Sequence, residues 1–136
     1  MQKKQIITTI LKHFPDTQAI YLFGTYGTEY ERHDSDIDIA VLLPVLASKT
    51  IGNPEFNRCG ADLESLFNGH VDLINLRQAN TVFQHEVIHN GQILFNAGKS
   101  VVDTFEMLTM SLYQKLNDER KAVIQHVINT KTVLDV

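Results

Sequence analysis

The sequence has only one cysteine, and it has no apolar run long enough to span a membrane. Cys59 alone cannot form an internal disulfide, so a reducing compartment is the natural environment. The apolar residues near the start, Ile6 and Ile7, are interrupted at Thr8, which is too short and too polar a stretch for a signal peptide. We therefore expect a cytoplasmic protein with no membrane partner.

Basic residues are also in short supply. There are 12 Lys and Arg against 16 Asp and Glu, a net charge of -4. Proteins that bind nucleic acid usually present a basic surface, so we do not expect direct nucleic-acid binding. Aromatic residues (8%) and charged residues (21%) occur at levels that argue against disorder. At 136 residues, the chain is long enough for one domain with its own core.

Periodicity predicts an alternation of helices and strands. Apolar residues at helical spacing predict helices over 6–14, 55–67 and 81–90. Shorter apolar or alternating runs predict strands over 19–23, 37–43 and 70–76, and a short edge strand over 92–95. The polar, Gly- and Pro-containing segment 45–54 is predicted to be a mobile loop. The pattern indicates an α/β fold, with a small mixed β-sheet flanked by helices.

The last third of the chain has no Gly or Pro from about Val101 to Leu134, and its apolar residues fit one long amphipathic helix. We expect a single domain with a core over about 17–97 and a C-terminal helix over about 101–134. Met107 and Met110 belong to an apolar surplus of the kind found where a helix docks on another protein. Completion of the core is an equally good interpretation, and the sequence leaves both open.

The segment with the most candidate functional residues joins the first two predicted strands. The first strand ends in Gly24 and Thr25, and the second begins with Asp36 and Asp38. Side chains alternate along a strand, so these two carboxylates project from one face while Ile37 points into the core. Two carboxylates held this close repel each other unless a cation lies between them, and oxygen ligands suit Mg²⁺. The pattern indicates metal-dependent nucleotide chemistry.

Gly24-Thr25, ten intervening residues and Asp36-Ile37-Asp38 resemble the G-[ST]-x10-D-x-D signature of minimal nucleotidyltransferases, in the polymerase-beta-like superfamily. The small size and the detail of this segment are similar to the MntA-type antitoxins that are paired with HepT toxins, which are HEPN-domain proteins. The resemblance runs from about Ala19 to about Phe95, and Thr25 stands where Ser is usual. It implies the minimal nucleotidyltransferase fold.

The resemblance also implies roles for six residues. It predicts a third carboxylate on a neighbouring strand, which Asp72 matches in Val71-Asp72-Leu73. The expected catalytic residues, which are also the expected Mg²⁺ ligands, are Asp36, Asp38 and Asp72. The expected contacts to the nucleotide, ATP, are Gly24, Thr25 and Ser35.

The activity implied by the resemblance is protein adenylylation. The chain would transfer AMP from ATP to a tyrosine of a HEPN-type ribonuclease toxin, within a hetero-oligomeric complex, and so act as its antitoxin. The alternative is an antitoxin that masks the toxin by binding alone, without nucleotide. An aminoglycoside-type nucleotidyltransferase is disfavoured, because such enzymes usually carry an additional substrate domain.

Two further motifs compete with this interpretation. His85-Glu86-Val87-Ile88-His89 matches the H-E-x-x-H zinc-peptidase pattern, but only Glu106, on a separate helix, is offered as a third ligand downstream. We interpret this stretch as a structural helix. Arg120 and His126 have the spacing of the R-x(4–6)-H pattern of HEPN ribonucleases, and we interpret them as part of an ordinary solvated helix with a partly buried His126.

Overall fold

The computed structural model describes residues 2–24, 37–67 and 69–134. In chain order its elements are α1 (Gln2–His13), β1 (Ala19–Phe23), β2 (Ile37–Leu42), α2 (Val45–Thr50), α3 (Asn53–Leu66), β3 (Val71–Asn75), a 3₁₀ turn (Leu76–Gln78), α4 (Thr81–Asn90), β4 (Gln92–Asn96) and α5 (Lys99–Leu134). Within those ranges, none of the helices is long and apolar enough to cross a membrane.

The four strands form one mixed sheet in the order β3-β2-β1-β4. β1 is antiparallel to both of its neighbours, β2 and β4, whereas β2 and β3 are parallel. A parallel pair needs a crossover connection, and here α2 and α3 provide it. The predicted small mixed sheet flanked by helices, with β4 at an edge, is confirmed.

The strands β1, β2 and β3 each divide their side chains between two cores. One face of the sheet, which we call the α1/α3 face, packs against α1 and α3, whereas the opposite α4/α5 face packs against α4 and α5. In β2, Ile37, Ile39 and Val41 lie on the α1/α3 face, and Ala40 and Leu42 lie on the α4/α5 face. The α1/α3 core is formed by Ile6, Ile10, Phe14, Ile20, Leu22, Ile37, Ile39, Val41, Leu43, Phe56, Cys59, Leu63 and Val71. The α4/α5 core is formed by Ala19, Tyr21, Ala40, Leu42, Leu76, Val87, Val102 and Phe105.

The prediction of a mobile loop over 45–54 was wrong, because most of this segment is helical. Residues Val45–Thr50 form α2, and α3 begins at Asn53 with Pro54 in its first turn, where proline is tolerated. Tertiary hydrogen bonds hold the short helix: Asn75 Nδ2 donates to the Ser48 carbonyl (2.8 Å) and Gln78 Nε2 to Ser48 Oγ (3.0 Å). Local composition gives no sign of these partners.

The long C-terminal helix is confirmed; it completes the core with one set of side chains and leaves other apolar side chains exposed. Val102, Phe105 and Thr109 are buried against the sheet and complete the α4/α5 core. Met107 and Leu108, by contrast, are 68% and 60% exposed. Further along the helix the exposed apolar side chains are Met110, Leu112, Val123, Ile124, Val127 and Ile128.

A buried polar contact fixes α5 to the centre of the sheet. Tyr21, only 2% exposed, donates its hydroxyl to Glu106 Oε1 at 2.6 Å. Burial, followed by the hydrogen bond to this carboxylate, raises the pKa of Tyr21 above its ordinary value of 10.0. The tyrosine therefore stays neutral and acts as a hydrogen-bond donor between strand and helix.

Candidate active site

A row of side chains crosses the sheet where β1 ends and where β2 and β3 begin. Phe23 is paired with Asp38 across β1 and β2, and Asp38 is paired with Asp72 across β2 and β3. Directly paired residues point to the same face, and adjacent strands lie about 4.8 Å apart. The alternation along β2 places Asp38 on the face opposite Ile37 and Ile39, which is the α4/α5 face. Two predicted site carboxylates are therefore neighbours in space.

Gly24, which follows β1, has a conformation that explains why glycine stands there. Its φ is +82°, in the left-handed region that side chains with a Cβ rarely adopt. A Cβ added at Gly24 would collide with Oδ2 of Asp38. The absence of a side chain thus lets the backbone approach this carboxylate closely.

The remaining predicted site residues, Thr25, Ser35 and Asp36, lie outside the described residues, so their roles stay predictions. In the ranges that the structure describes, no group of three or more His, Cys, Asp or Glu is placed to hold a metal ion. Asp38 and Asp72 nevertheless fit Mg²⁺ as a pair, because carboxylate oxygens are its preferred protein ligands. Side by side at one end of the sheet, they form the described part of the predicted ligand set.

An aromatic contact joins the β1 end of the row of side chains to α4. The ring of Phe83, in the first turn of α4, meets the ring of Phe23 edge to face, with centroids 5.4 Å apart. Asn80 caps this helix, since its Oδ1 accepts a hydrogen bond from the Phe83 N–H at 2.8 Å. An open groove of about 730 Å³ continues from here between α4 and α5, lined by Asn80, Thr81, Val82, Phe83, Glu86, Leu116 and Arg120.

Asp72 has a hydrogen-bond partner that the sequence analysis did not single out. His70 Nε2 lies 2.8 Å from Asp72 Oδ1, and the other ring nitrogen, Nδ1, lies 3.0 Å from Glu64 Oε2. The hydrogen bonds to Asp72 and then to Glu64 raise the pKa of His70 above its ordinary value of 6.5. A signal was present in the sequence: residues two apart on a strand share a face, and His70 stands two before Asp72.

The residues of the two competing motifs lie on α4 and α5. His85 stacks on Tyr113 of α5, with ring centroids 3.7 Å apart, and more distantly on His89, at 5.6 Å. These parallel rings pack α4 against α5, which agrees with the interpretation of the H-E-x-x-H stretch as a structural helix. Arg120 and His126 are both exposed on α5, so the expected solvated helix is confirmed and the expected partial burial of His126 was wrong.

Comparison with known proteins agrees with this fold. Residues 5–100 match the polymerase beta nucleotidyltransferase family. The protein adenylyltransferase MntA of Shewanella oneidensis is 35% identical over 128 residues, covering 94% of this chain and 88% of that protein. A chain of a toxin–antitoxin crystal structure with AMP-PNP superposes with a TM-score of 0.79 at 34% identity, covering 94% of this chain and 99% of that one.

A second solved structure contains a tri-AMPylated HEPN toxin of S. oneidensis in complex with MNT antitoxin. A chain of that complex superposes with a TM-score of 0.73 at 34% identity, covering 94% of this chain and 99% of that one. The fold and the family match thus define the class as a nucleotidyltransferase. This chain belongs to the polymerase beta nucleotidyltransferase family and, within it, to the MntA-type antitoxins.

Proposed function

We propose that this chain is the antitoxin of a toxin–antitoxin pair and works as a Mg²⁺-dependent protein adenylyltransferase. It transfers AMP from ATP to a tyrosine of a cognate HEPN-type ribonuclease toxin and so neutralises it. The observation that carries the proposal is the pairing of Asp38 with Asp72 beside Gly24, in a chain 35% identical to a protein adenylyltransferase over 94% of its length. The single cysteine, buried and unpaired, is in keeping with action in the cytoplasm.

In this proposal Asp36, Asp38 and Asp72 hold Mg²⁺. The metal supplies neutralisation of the triphosphate charge, which would otherwise oppose the approach of a nucleophile. Asp38 and Asp72 stand on adjacent strands of a rigid sheet, so their carboxylates are held near one another before any ligand binds. This strand pairing supports a shared role for the two carboxylates in binding the metal.

The nucleotide contacts come from the turn after β1 and from the residue before Asp36. Gly24 lets the backbone approach the phosphates, and Thr25 offers its hydroxyl and its N–H to phosphate oxygens. Ser35 contributes a further hydroxyl. Of these three residues the structure describes Gly24, whose positive φ supports a close backbone approach.

The reaction joins the tyrosine hydroxyl oxygen to the α-phosphorus of ATP. The bond from that phosphorus to the α,β-bridging oxygen breaks, and pyrophosphate leaves with the electron pair. The hydroxyl proton passes to the Asp72 carboxylate, directly or through water. The attached AMP places negative charge and bulk beside the toxin's ribonuclease site, which blocks RNA cleavage.

A second candidate, neutralisation by masking alone, is favoured by the surface of α5. Its exposed apolar side chains include Met107, Leu108 and Leu112, which are more than half exposed. Exposed apolar side chains along one helix suit a protein contact. A masking antitoxin would need neither nucleotide nor the site carboxylates.

Co-production with the cognate HEPN-type partner, followed by intact mass measurement of both chains, separates these candidates. With the wild-type chain we expect a partner heavier by whole AMP units. Asp38→Asn should reduce the transfer at least about 1,000-fold, because a metal contributes several kcal/mol to stabilising the transition state. The matched control is Asp16→Asn, which alters an exposed aspartate before β1, at the opposite end of that strand.

The control should modify the partner like the wild type. A partner that is neutralised but unmodified with every variant, in the presence of Mg²⁺ and ATP, would contradict the enzymatic proposal and favour masking.

A further inference from the structure

A three-residue hydrogen-bonded chain runs from α3 to the site carboxylate on β3. Glu64 lies in the last turn of α3, His70 immediately precedes β3, and Asp72 is the second residue of that strand. The ring of His70 lies between the two carboxylates, 3.0 Å from Glu64 Oε2 and 2.8 Å from Asp72 Oδ1. Both distances are those of good hydrogen bonds.

Glu64 is itself fixed at the start of β3. In addition to facing His70 Nδ1, its Oε2 accepts a hydrogen bond from the Val71 backbone N–H at 3.3 Å. The carboxylate therefore connects the end of α3 with two consecutive residues at the entrance of the strand. The contact of Nδ1 with Glu64 fixes the orientation of the His70 ring. Because the ring is rigid, Nε2 then points towards Asp72.

We propose that His70, oriented by Glu64, is a positioning residue that holds Asp72 in the rotamer required for metal binding. With a proton on Nε2, the ring donates to Oδ1 at 2.8 Å and so restricts rotation of the Asp72 carboxylate. Removing a residue that hydrogen-bonds to a metal ligand typically lowers metal affinity or activity 10- to 100-fold. This inference rests on the proposed function, since it concerns the same site.

A purely structural role is the competing account, in which the chain of contacts only ties α3 to β3. His13 offers a matched comparison, because its Nε2 lies 2.6 Å from Asp62 Oδ2 and links α1 to α3. That pair has the same chemistry but joins helices of the α1/α3 face, the side of the sheet opposite the carboxylate row. Removing each histidine therefore separates the effect on the site from the effect of losing a His–carboxylate contact.

The experiment compares His70→Ala, His70→Gln and His13→Ala. The affinity for Mn²⁺ is measured by electron paramagnetic resonance in the presence of a non-hydrolysable ATP analogue. The Mg²⁺ concentration for half-maximal AMP transfer and the metal-free melting temperature are measured alongside it. We expect His70→Ala to weaken Mn²⁺ binding about 10- to 100-fold and to raise the half-maximal Mg²⁺ concentration similarly. His70→Gln, which keeps an N–H donor, should recover part of the loss.

His13→Ala should bind Mn²⁺ as the wild type does. The proposal is overturned if His70→Ala binds Mn²⁺ within about two-fold of the wild type, or if its metal-free melting temperature is the only property that changes. Asp72→Asn distinguishes failure of this inference from failure of the proposed function. If Asp72→Asn loses metal affinity and His70→Ala does not, only the positioning role is wrong; if Asp72→Asn itself behaves as wild type, the proposed site is wrong.

Discussion

The two faces of the sheet differ in polarity along β2. On the α1/α3 face, β2 contributes Ile37, Ile39 and Val41, all buried, so the apolar packing continues to the end of the strand. On the α4/α5 face, the same strand contributes buried Ala40 and Leu42, and then the partly exposed Asp38. One face is apolar along the whole strand, whereas the other changes to a carboxylate where the candidate site begins.

This difference shows how a small domain can hold charged groups without weakening its centre. Asp38 and Asp72 sit at the strand ends, where their side chains keep access to water. Carboxylates placed further along the strands would be buried, at a cost of several kcal/mol each. The apolar face beneath them supplies the stability that the polar end does not.

The largest effect on stability is expected from the apolar face. Ile39 is fully buried in the middle of β2, so Ile39→Ala should lower the free energy of unfolding by about 2–5 kcal/mol, as measured by urea denaturation. The folded fraction should still transfer AMP at low temperature. The control is Ile93→Ala on the edge strand, where the side chain is 42% exposed and the loss should be distinctly smaller. Equal losses at the two positions would contradict the importance of the α1/α3 core.

An intermediate effect on stability, with a large effect on activity, is expected at Gly24, which follows β1 and lies beside Asp38. Gly24→Ala should cost about 1–2 kcal/mol of folding stability, because alanine is strained at a φ of +82°. AMP transfer should fall much further, since the new Cβ would displace the Asp38 carboxylate.

The matched control is Gly98→Ala, where a Cβ would meet its nearest neighbour at an ordinary 3.8 Å. Calorimetry and the partner-modification assay measure the two effects. A Gly24→Ala variant with full activity would show that Asp38 does not need its present position.

The smallest effect on stability is expected from ionisation of Cys59, which lies in the core of the α1/α3 face. Burial, assisted by nearby Asp62, raises the pKa of its thiol from 9.0 to about 12. The raised value favours the neutral thiol in the folded state, so this contribution to stability is complete below pH 9 and is lost as the pH rises towards 12. Alkylation by iodoacetamide at pH 8 should be slow in the native protein and fast in urea.

Comparison with Cys59→Ala isolates this effect from that of other groups that titrate at high pH. Rapid labelling of the native protein would mean that α3 opens easily.

Much of the fold could be predicted because local patterns and tertiary structure agree. The predicted strand over 19–23 and the predicted helix over 81–90 have the bounds that the structure shows for β1 and α4. β1 is an apolar run that ends at a glycine, and α4 begins after the capping residue Asn80 and ends before Gly91. Signals of this kind act within a few residues, so no information about distant parts of the chain is needed.

The sequence-based predictions failed where contacts between residues distant in sequence determine the local structure. The helix α2 was missed because Asn75 and Gln78, well beyond it in sequence, hold Ser48 by hydrogen bonds. The contact of His70 with Glu64 was missed for a similar reason, since it depends on how α3 leads into β3. Helix propensity and composition describe neither kind of contact.

The sequence by itself determined the alternation of helices and strands, and it placed Asp38 on the face of β2 opposite Ile37 and Ile39, because strand periodicity is a local property. It also identified the chemistry, through the resemblance carried by Gly24 and the aspartates. The resemblance put Asp72 on a neighbouring strand, but only the tertiary structure decided that it pairs directly with Asp38 and that His70 contacts it. The register of a parallel pair is set by the packing of the whole crossover between its strands, and no short stretch of sequence contains that information.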